Sequence, residues 1–198
     1  MIIWIRVKAL RIIAGVAKGR TLGTVAGATR PTSDRAREGL FSSLTSQFGD
    51  FLGLNVLDLF GGSGAIGLEA LSRGASIVHV IERDSDAQKT IQHNYDAVKK
   101  NQPVGIFHLY AMSAQRFLSD APKERYHIVY IDPPFDFTDR EVEELVGKLH
   151  SGEFLKSDAL IAVERTAKGS TFSWPDGFVA ARERKYGAAT IFYGSCAP

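Results

Sequence analysis

The chain is expected to fold as an α/β unit, a mostly parallel, doubly wound sheet preceded by a small basic hairpin. Two observations carry this expectation. From residue 55 onward, short apolar runs alternate with stretches of helical periodicity, and that alternation requires crossovers between parallel strands. The first of these runs also ends in a glycine-rich turn, Gly61-Gly-Ser-Gly64, the kind of bend that joins a strand to a helix beside a ligand.

The elements follow in order. Residues 10–25 read as two short strands around a Gly/Lys/Gly turn, a hairpin. Arg30-Pro-Thr-Ser-Asp34 is a breaker followed by a cap, and a helix runs from there to about Gln47, with Leu40, Phe41 and Leu44 at helical spacing. Strands are predicted over 55–60, 77–82, 106–109, 127–132 and 159–164, the third being weak. Helices are predicted over 65–72, 85–100, 113–120 and 140–150. Residues 178–185 and 188–193 form a closing hairpin around Gly187. This divides the chain into a hairpin-and-helix extension, 1–48, packed on a single globular unit, 49–198.

Composition is that of an ordinary globular protein: 198 residues, 44% hydrophobic and 23% charged. The net charge of +2 is unevenly spread. Residues 1–40 hold Arg6, Lys8, Arg11, Lys18, Arg20, Arg30, Arg35 and Arg37 against Asp34 and Glu38, which leaves the rest of the chain acidic. A basic arm on an acidic body suits a polyanionic partner, although a solvated basic surface would read the same way. The single cysteine, Cys196, allows neither a disulfide framework nor a cysteine zinc site within one chain. The five histidines show no metal-ligand spacing, so no metal is expected. The apolar start is too short for a signal or a membrane span, and a cytoplasmic protein is expected.

Three features fall at carboxyl ends of the predicted strands, where ligands bind in such sheets. The first is the glycine loop, whose glycines allow a sharp turn and close backbone approach. Asp58, on the strand before it, suits a cationic amino-acid group better than a pyrophosphate, which favours S-adenosylmethionine over a nicotinamide cofactor. The second is Glu82, positioned to accept hydrogen bonds from both ribose hydroxyls. The third is Asp132-Pro-Pro-Phe135. The two prolines make a stiff segment that lacks N–H donors. The Asp132 carboxylate and the Pro133 carbonyl can then act as paired acceptors for an exocyclic amino group. Phe135 can stack on the base, an interaction worth roughly 1–3 kcal/mol. Together these features point to methyl transfer onto a nucleobase nitrogen.

The same residues resemble the RsmD family, the 16S rRNA guanine-N2 methyltransferases, from about Leu10 to Tyr193. The matching stretches are Arg11-Ile-Ile-Ala-Gly with Lys18-Gly-Arg-Thr-Leu22, Arg30-Pro-Thr-Ser-Asp-Arg-Ala-Arg-Glu38, Asp58 to Arg73, Glu82-Arg-Asp84 and Asp132 to Phe135. The resemblance implies a Rossmann-like class I S-adenosylmethionine-dependent methyltransferase with a seven-stranded, mostly parallel sheet. It implies N2-methylation of one guanine, 966 in the family, in 16S rRNA of the small subunit or its assembly intermediate, by a monomer. By motif, Gly61, Ser63, Gly64 and Glu82 look like donor contacts, with Asp58, Phe60 and Arg83 beside them. Arg30 and Thr32 border the donor's methionine end or the RNA. Asp132, Pro133, Pro134 and Phe135 form the target-base clamp, and Arg11, Lys18, Arg20, Arg35 and Arg37 the RNA-binding surface. The family position after the third strand that is often Asp or Asn falls on Tyr110, leaving the Ala111 or Met112 backbone to meet the adenine. Two other readings stay open: an amino-directed methyltransferase on DNA or another RNA, and a non-catalytic rRNA-binding assembly factor.

Overall fold

In the computed structural model, residues 9–25, 34–166 and 172–198 are described. After the N-terminal hairpin, α1 spans Asp34–Phe48. The alternating series is β1 (Asn55–Asp58), α2 (Ala65–Ser72), β2 (Ile77–Glu82), α3 (Ser85–Lys99), β3 (Ile106–Ala111), α4 (Ala114–Phe117), β4 (Tyr126–Ile131), α5 (Asp139–Ser151) and β5 (Leu155–Thr166). It closes with β6 (Phe178–Tyr186) and β7 (Ala189–Cys196).

The seven strands form one sheet in the order β3-β2-β1-β4-β5-β7-β6. All neighbouring pairs from β3 to β5 are parallel, and β7 runs antiparallel between β5 and β6. The middle of β1, Val56 and Leu57, and the core of β4 are apolar on both sides because helices cover both faces of the sheet. On one face, Leu40, Leu68, Ile91, Val78 and Tyr130 share a core with Leu10, Ile12 and Leu22 of the hairpin. On the other, Phe117, Val142 and Leu145 pack against Leu57, Ile81 and Val129. The chain leaves β1 toward β2 and later returns to the other side of β1 as β4. This reversal opens a crevice above the carboxyl ends of β1 and β4.

The N-terminal hairpin differs from its expected form. Arg11 and Thr21 make a single antiparallel bridge, and no regular ladder extends from it. The reason lies in where its backbone donors go. Ile13 N and Ala14 N donate to the buried Glu69 carboxylate of α2 at 2.7 and 2.9 Å. Val16 N donates to the Ser72 carbonyl and Ala17 N to the Ser72 hydroxyl. Gly15 lies so close to α2 that a Cβ there would stand 1.8 Å from the Ser72 carbonyl oxygen. The hairpin is thus docked against the last turn of α2, and its turn sits at the amino ends of the strands.

Other differences are at boundaries. β3 runs two residues further than expected, because Tyr110 packs against Phe117 and His79 and Ala111 still pairs with Glu82. α4 is one short turn, N-capped by Ser113. β5 begins at Leu155 and continues to Thr166, and Gly187 makes the last turn at φ 65°.

Candidate active site

The glycine loop leaves β1 after Asp58 and enters α2 at Ala65. Its glycines serve two different purposes. A Cβ on Gly61 would meet Val80 at 2.4 Å and one on Gly67 would meet Val80 at 2.5 Å, so these two let α2 sit directly on β2. Gly62 and Gly64 adopt φ of 53° and 78°, and the absent side chain of Gly62 faces open space. The loop is held at several points. Gly61 N donates to the Ile81 carbonyl at 2.9 Å and Gly64 N to the Gly61 carbonyl at 2.7 Å. Gly62 N donates to Glu82 Oε2 at 2.8 Å, and Asn94 Nδ2 donates to the Ser63 carbonyl at 2.8 Å.

Glu82, at the end of β2, is fixed through both oxygens, since Oε1 accepts from Asp84 N at 2.8 Å. Each carboxylate oxygen has two acceptor positions. One on each is therefore left for a ribose diol. Ala111 lies beside Glu82 in register and Met112 follows it, half-buried, so the expected adenine-side backbone is brought to the same rim. Arg83 is exposed next to it.

Asp58 is 1% exposed, and neither carboxylate oxygen has a hydrogen bond of good geometry. Burial raises its carboxyl to about pKa 7, partly offset by the nearby Phe60 amide and reinforced by the charge of Glu82. A buried carboxylate that meets only the poorly aligned amides of Phe60 and Gly67, under a glycine loop, suits a cation and repels a phosphate. The donor set therefore fits S-adenosylmethionine, which carries an ammonium and no phosphate. The sign of the pH dependence follows. Below pH 7 Asp58 is largely neutral, and a cationic ligand favours its ionised form. Donor affinity should rise at least about tenfold from pH 5 to pH 7, with a proton released on binding. Calorimetry in buffers of different ionisation enthalpy measures both, and Asp58→Asn should flatten the profile. A flat wild-type profile would remove Asp58 from the donor site.

The second loop leaves β4 beside the first. β1 and β4 are adjacent, Asp58 and Tyr130 are partners across them, and Leu59 N donates to the Tyr130 carbonyl at 3.0 Å. Asp132 is half-buried and Pro133 buried, while Pro134 is exposed and Phe135 is 68% exposed, a large ring open to a stacking partner. Phe137 N donates to the Pro134 carbonyl, closing a tight turn. The Phe137 ring plugs into the core edge-on against Phe60 of the glycine loop, with centroids 5.2 Å apart. Arg165, from the end of β5, donates to the Phe137 carbonyl at 2.7 Å and to Asp139 at 2.8 Å. Below the loop, the Tyr130 hydroxyl donates to Glu164 at 2.5 Å. Burial first, then the charges of Asp132 and Glu164, hold Tyr130 protonated.

Sequence reasoning missed Asn94, Phe137 and Arg165, which shape the two loops from elements distant in the chain. Phe137 left one local hint, an aromatic two residues beyond the Asp-Pro-Pro-Phe tetrad.

The basic residues separate into groups. Arg11, Lys18 and Arg35 are exposed. Arg20 is half-buried, its guanidinium held by Asn101 Oδ1 at 2.8 and 3.3 Å. Arg37 requires a correction: it is fully buried on the inner face of α1, where it pairs with Asp34 at 2.9 Å, and so it presents nothing to RNA. The reason is helical spacing, which places position 37 in line with Leu40, Phe41 and Leu44. Arg30 and Thr32 lie outside the described residues. Among the described residues, no group of His, Cys, Asp or Glu could hold a metal ion, and no helix is long and apolar enough to cross a membrane.

This strand order, with a glycine loop after β1, an acid closing β2 and Asp-Pro-Pro-Phe after β4, defines a Rossmann-like methyltransferase. The chain belongs to the family described as Conserved hypothetical protein 95, which matches residues 10–195 and is the RsmD family its motifs resemble. It is 34% identical over 179 residues to Ribosomal RNA small subunit methyltransferase D of Escherichia coli (strain K12), covering 90% of this chain and 85% of that one. It is 31% identical over 185 residues to YlbH of Bacillus subtilis, covering 92% and 96%. The solved structure of yhhF from Escherichia coli superposes with a TM-score of 0.80 at 31% identity, covering 96% of this chain and 98% of that one.

Proposed function

We propose that this protein transfers a methyl group from S-adenosylmethionine to the exocyclic N2 of one guanine in 16S rRNA, the family's guanine 966, within the small subunit or its assembly intermediate. The observation that carries the reading is the Asp132–Phe135 turn standing beside the glycine loop at the sheet's reversal point. The donor supplies an electrophilic methyl group. Asp58, the Gly61–Gly64 backbone, Glu82 and the Ala111–Met112 backbone hold it.

Asp132 and the Pro133 carbonyl accept the two N–H bonds of the target amine, which turns its lone pair toward the methyl group. They also stabilise the positive charge that develops on nitrogen. Phe135 stacks on the base. No strong base is needed beforehand, since the amine becomes acidic only as it is methylated. Asp132 then takes the proton.

The position of the basic hairpin turn favours a large, folded substrate. Lys18 and Arg20 lie near the amino ends of the strands and the clamp at their carboxyl ends, which places them roughly 20 Å apart for a strand of this length. A ribosomal particle spans that distance, whereas a free nucleotide does not. The relatives named for small-subunit rRNA methylation support the same substrate.

The test is incubation with labelled S-adenosylmethionine and small subunits from a strain lacking its own enzyme, followed by mapping of the modified nucleotide. Label in a single N2-methylguanine is expected. Label in duplex DNA or another RNA instead would keep the chemistry and overturn the substrate. No label anywhere, with RNA bound, would leave a non-catalytic assembly factor.

A further inference from the structure

The side chain of Asn94, on α3, is 1% exposed and belongs to neither loop of the site. Its amide nonetheless joins two segments far from it in sequence. Oδ1 accepts from Gly23 N at 2.7 Å, while Nδ2 donates to the Gly23 carbonyl at 2.9 Å and to the Ser63 carbonyl at 2.8 Å. Both N–H groups are therefore committed, and the exchange with Gly23 copies the two-bond pairing of neighbouring antiparallel strands. Gly23 is where the chain leaves the hairpin, and Ser63 is the middle of the glycine loop.

The geometry points to Asn94 as a positioning residue for the donor, through which the glycine loop and the segment leaving the hairpin act as one unit. The physical argument is satisfaction. The buried Asn94 amide needs partners for its oxygen and both N–H groups, and the two backbone groups of Gly23 and the Ser63 carbonyl supply all three. If the loop shifts, the Asn94–Ser63 bond is strained, and the amide can relieve that only by moving against Gly23. A donor that settles the loop should therefore also settle Gly23. The inference rests on reading residues 61–64 as the donor loop.

Two measurements test it. The first uses the wild-type protein and follows amide hydrogen exchange with and without S-adenosylhomocysteine, the demethylated product. We expect slower exchange at Gly62 and Gly64 and at least a tenfold slowing at Gly23. If the loop amides are unaffected by bound product, the donor-loop reading fails. If the loop slows and Gly23 does not, the coupling through Asn94 fails.

The second uses Asn94→Ala. Product Kd and donor KM should rise at least tenfold, while kcat at saturating donor stays within about twofold. A purely structural role would lower Tm and leave both constants of the folded protein unchanged. Should this variant not fold, Asn94→Asp serves, because its protonated carboxyl recovers one donor. Its product affinity should improve as pH falls, relative to wild type at the same pH, and the absence of that recovery would overturn the assignment.

Discussion

Asp132→Ala should lower methyl transfer by about 10²–10³-fold or more while leaving donor affinity within about twofold of wild type. The magnitude follows from what the carboxylate does. In the proposed clamp it accepts one N–H of the target amine, faces the charge that develops on nitrogen and receives the proton. Removing one preorganised group of this kind typically costs two to three orders of magnitude in kcat. Donor affinity should be spared because the proposed donor contacts come from the other loop, held by Ile81, Glu82 and Asn94. Asp132→Asn is the sharper variant. It keeps an acceptor oxygen and the shape but loses the charge and the proton acceptor, so its kcat should still fall at least about tenfold. Single-turnover transfer to small subunits, alongside calorimetric donor binding, separates the two quantities. Turnover of Asp132→Ala at the wild-type rate would be fatal to the clamp assignment.

The largest expected effect on stability lies elsewhere, at Glu69. This side chain is completely buried on α2, accepts from Ile13 N and Ala14 N, and pairs with Arg73 Nε at 2.7 Å. Arg73 in turn lies over the Phe41 ring, 4.7 Å from its centroid. Glu69→Ala would leave two backbone donors and a largely enclosed guanidinium without their acceptor. Breaking a buried, hydrogen-bonded pair from one side costs about 3–5 kcal/mol. In a domain of this size that corresponds to roughly a 10 °C fall in Tm. Glu69→Gln should be intermediate, since its amide can accept only on one side. The hairpin should loosen before the sheet does, so protection of the Leu22 and Gly19 amides is expected to fall furthest. A Tm for Glu69→Ala indistinguishable from wild type would show that the hairpin is held without Glu69, by its apolar contacts and its bonds to Ser72, Asn94 and Asn101.

What could be read from the sequence is local in origin. The glycine loop, Glu82 and Asp132–Phe135 each sit where a strand ends. Glycine's access to positive φ, proline's missing N–H and an acid's place at a strand terminus are properties of a few consecutive residues. The alternation of apolar runs with helical periodicity was enough to place β1, α2 and β2 to within two residues, because a strand covered on both faces is largely apolar in its middle. Even the docking of α1 was implicit in the spacing of Leu40, Phe41 and Leu44. Arg37 was misjudged as a surface cation only because its charge was given more weight than its position in that same row.

The tertiary structure alone decided which distant groups complete one another. Glu69 serves residues 55 and 56 positions away, and Asn94 joins partners 71 and 31 positions away. Arg165 pins the clamp loop from the next strand, and the hairpin turn lies at the end of the sheet opposite the site. None of these leaves a local signature, because a buried glutamate, asparagine or arginine is written with the same letter as an exposed one. Their roles arise from the need to satisfy buried backbone groups, and which groups are buried is settled only when the helices and the hairpin close on the sheet.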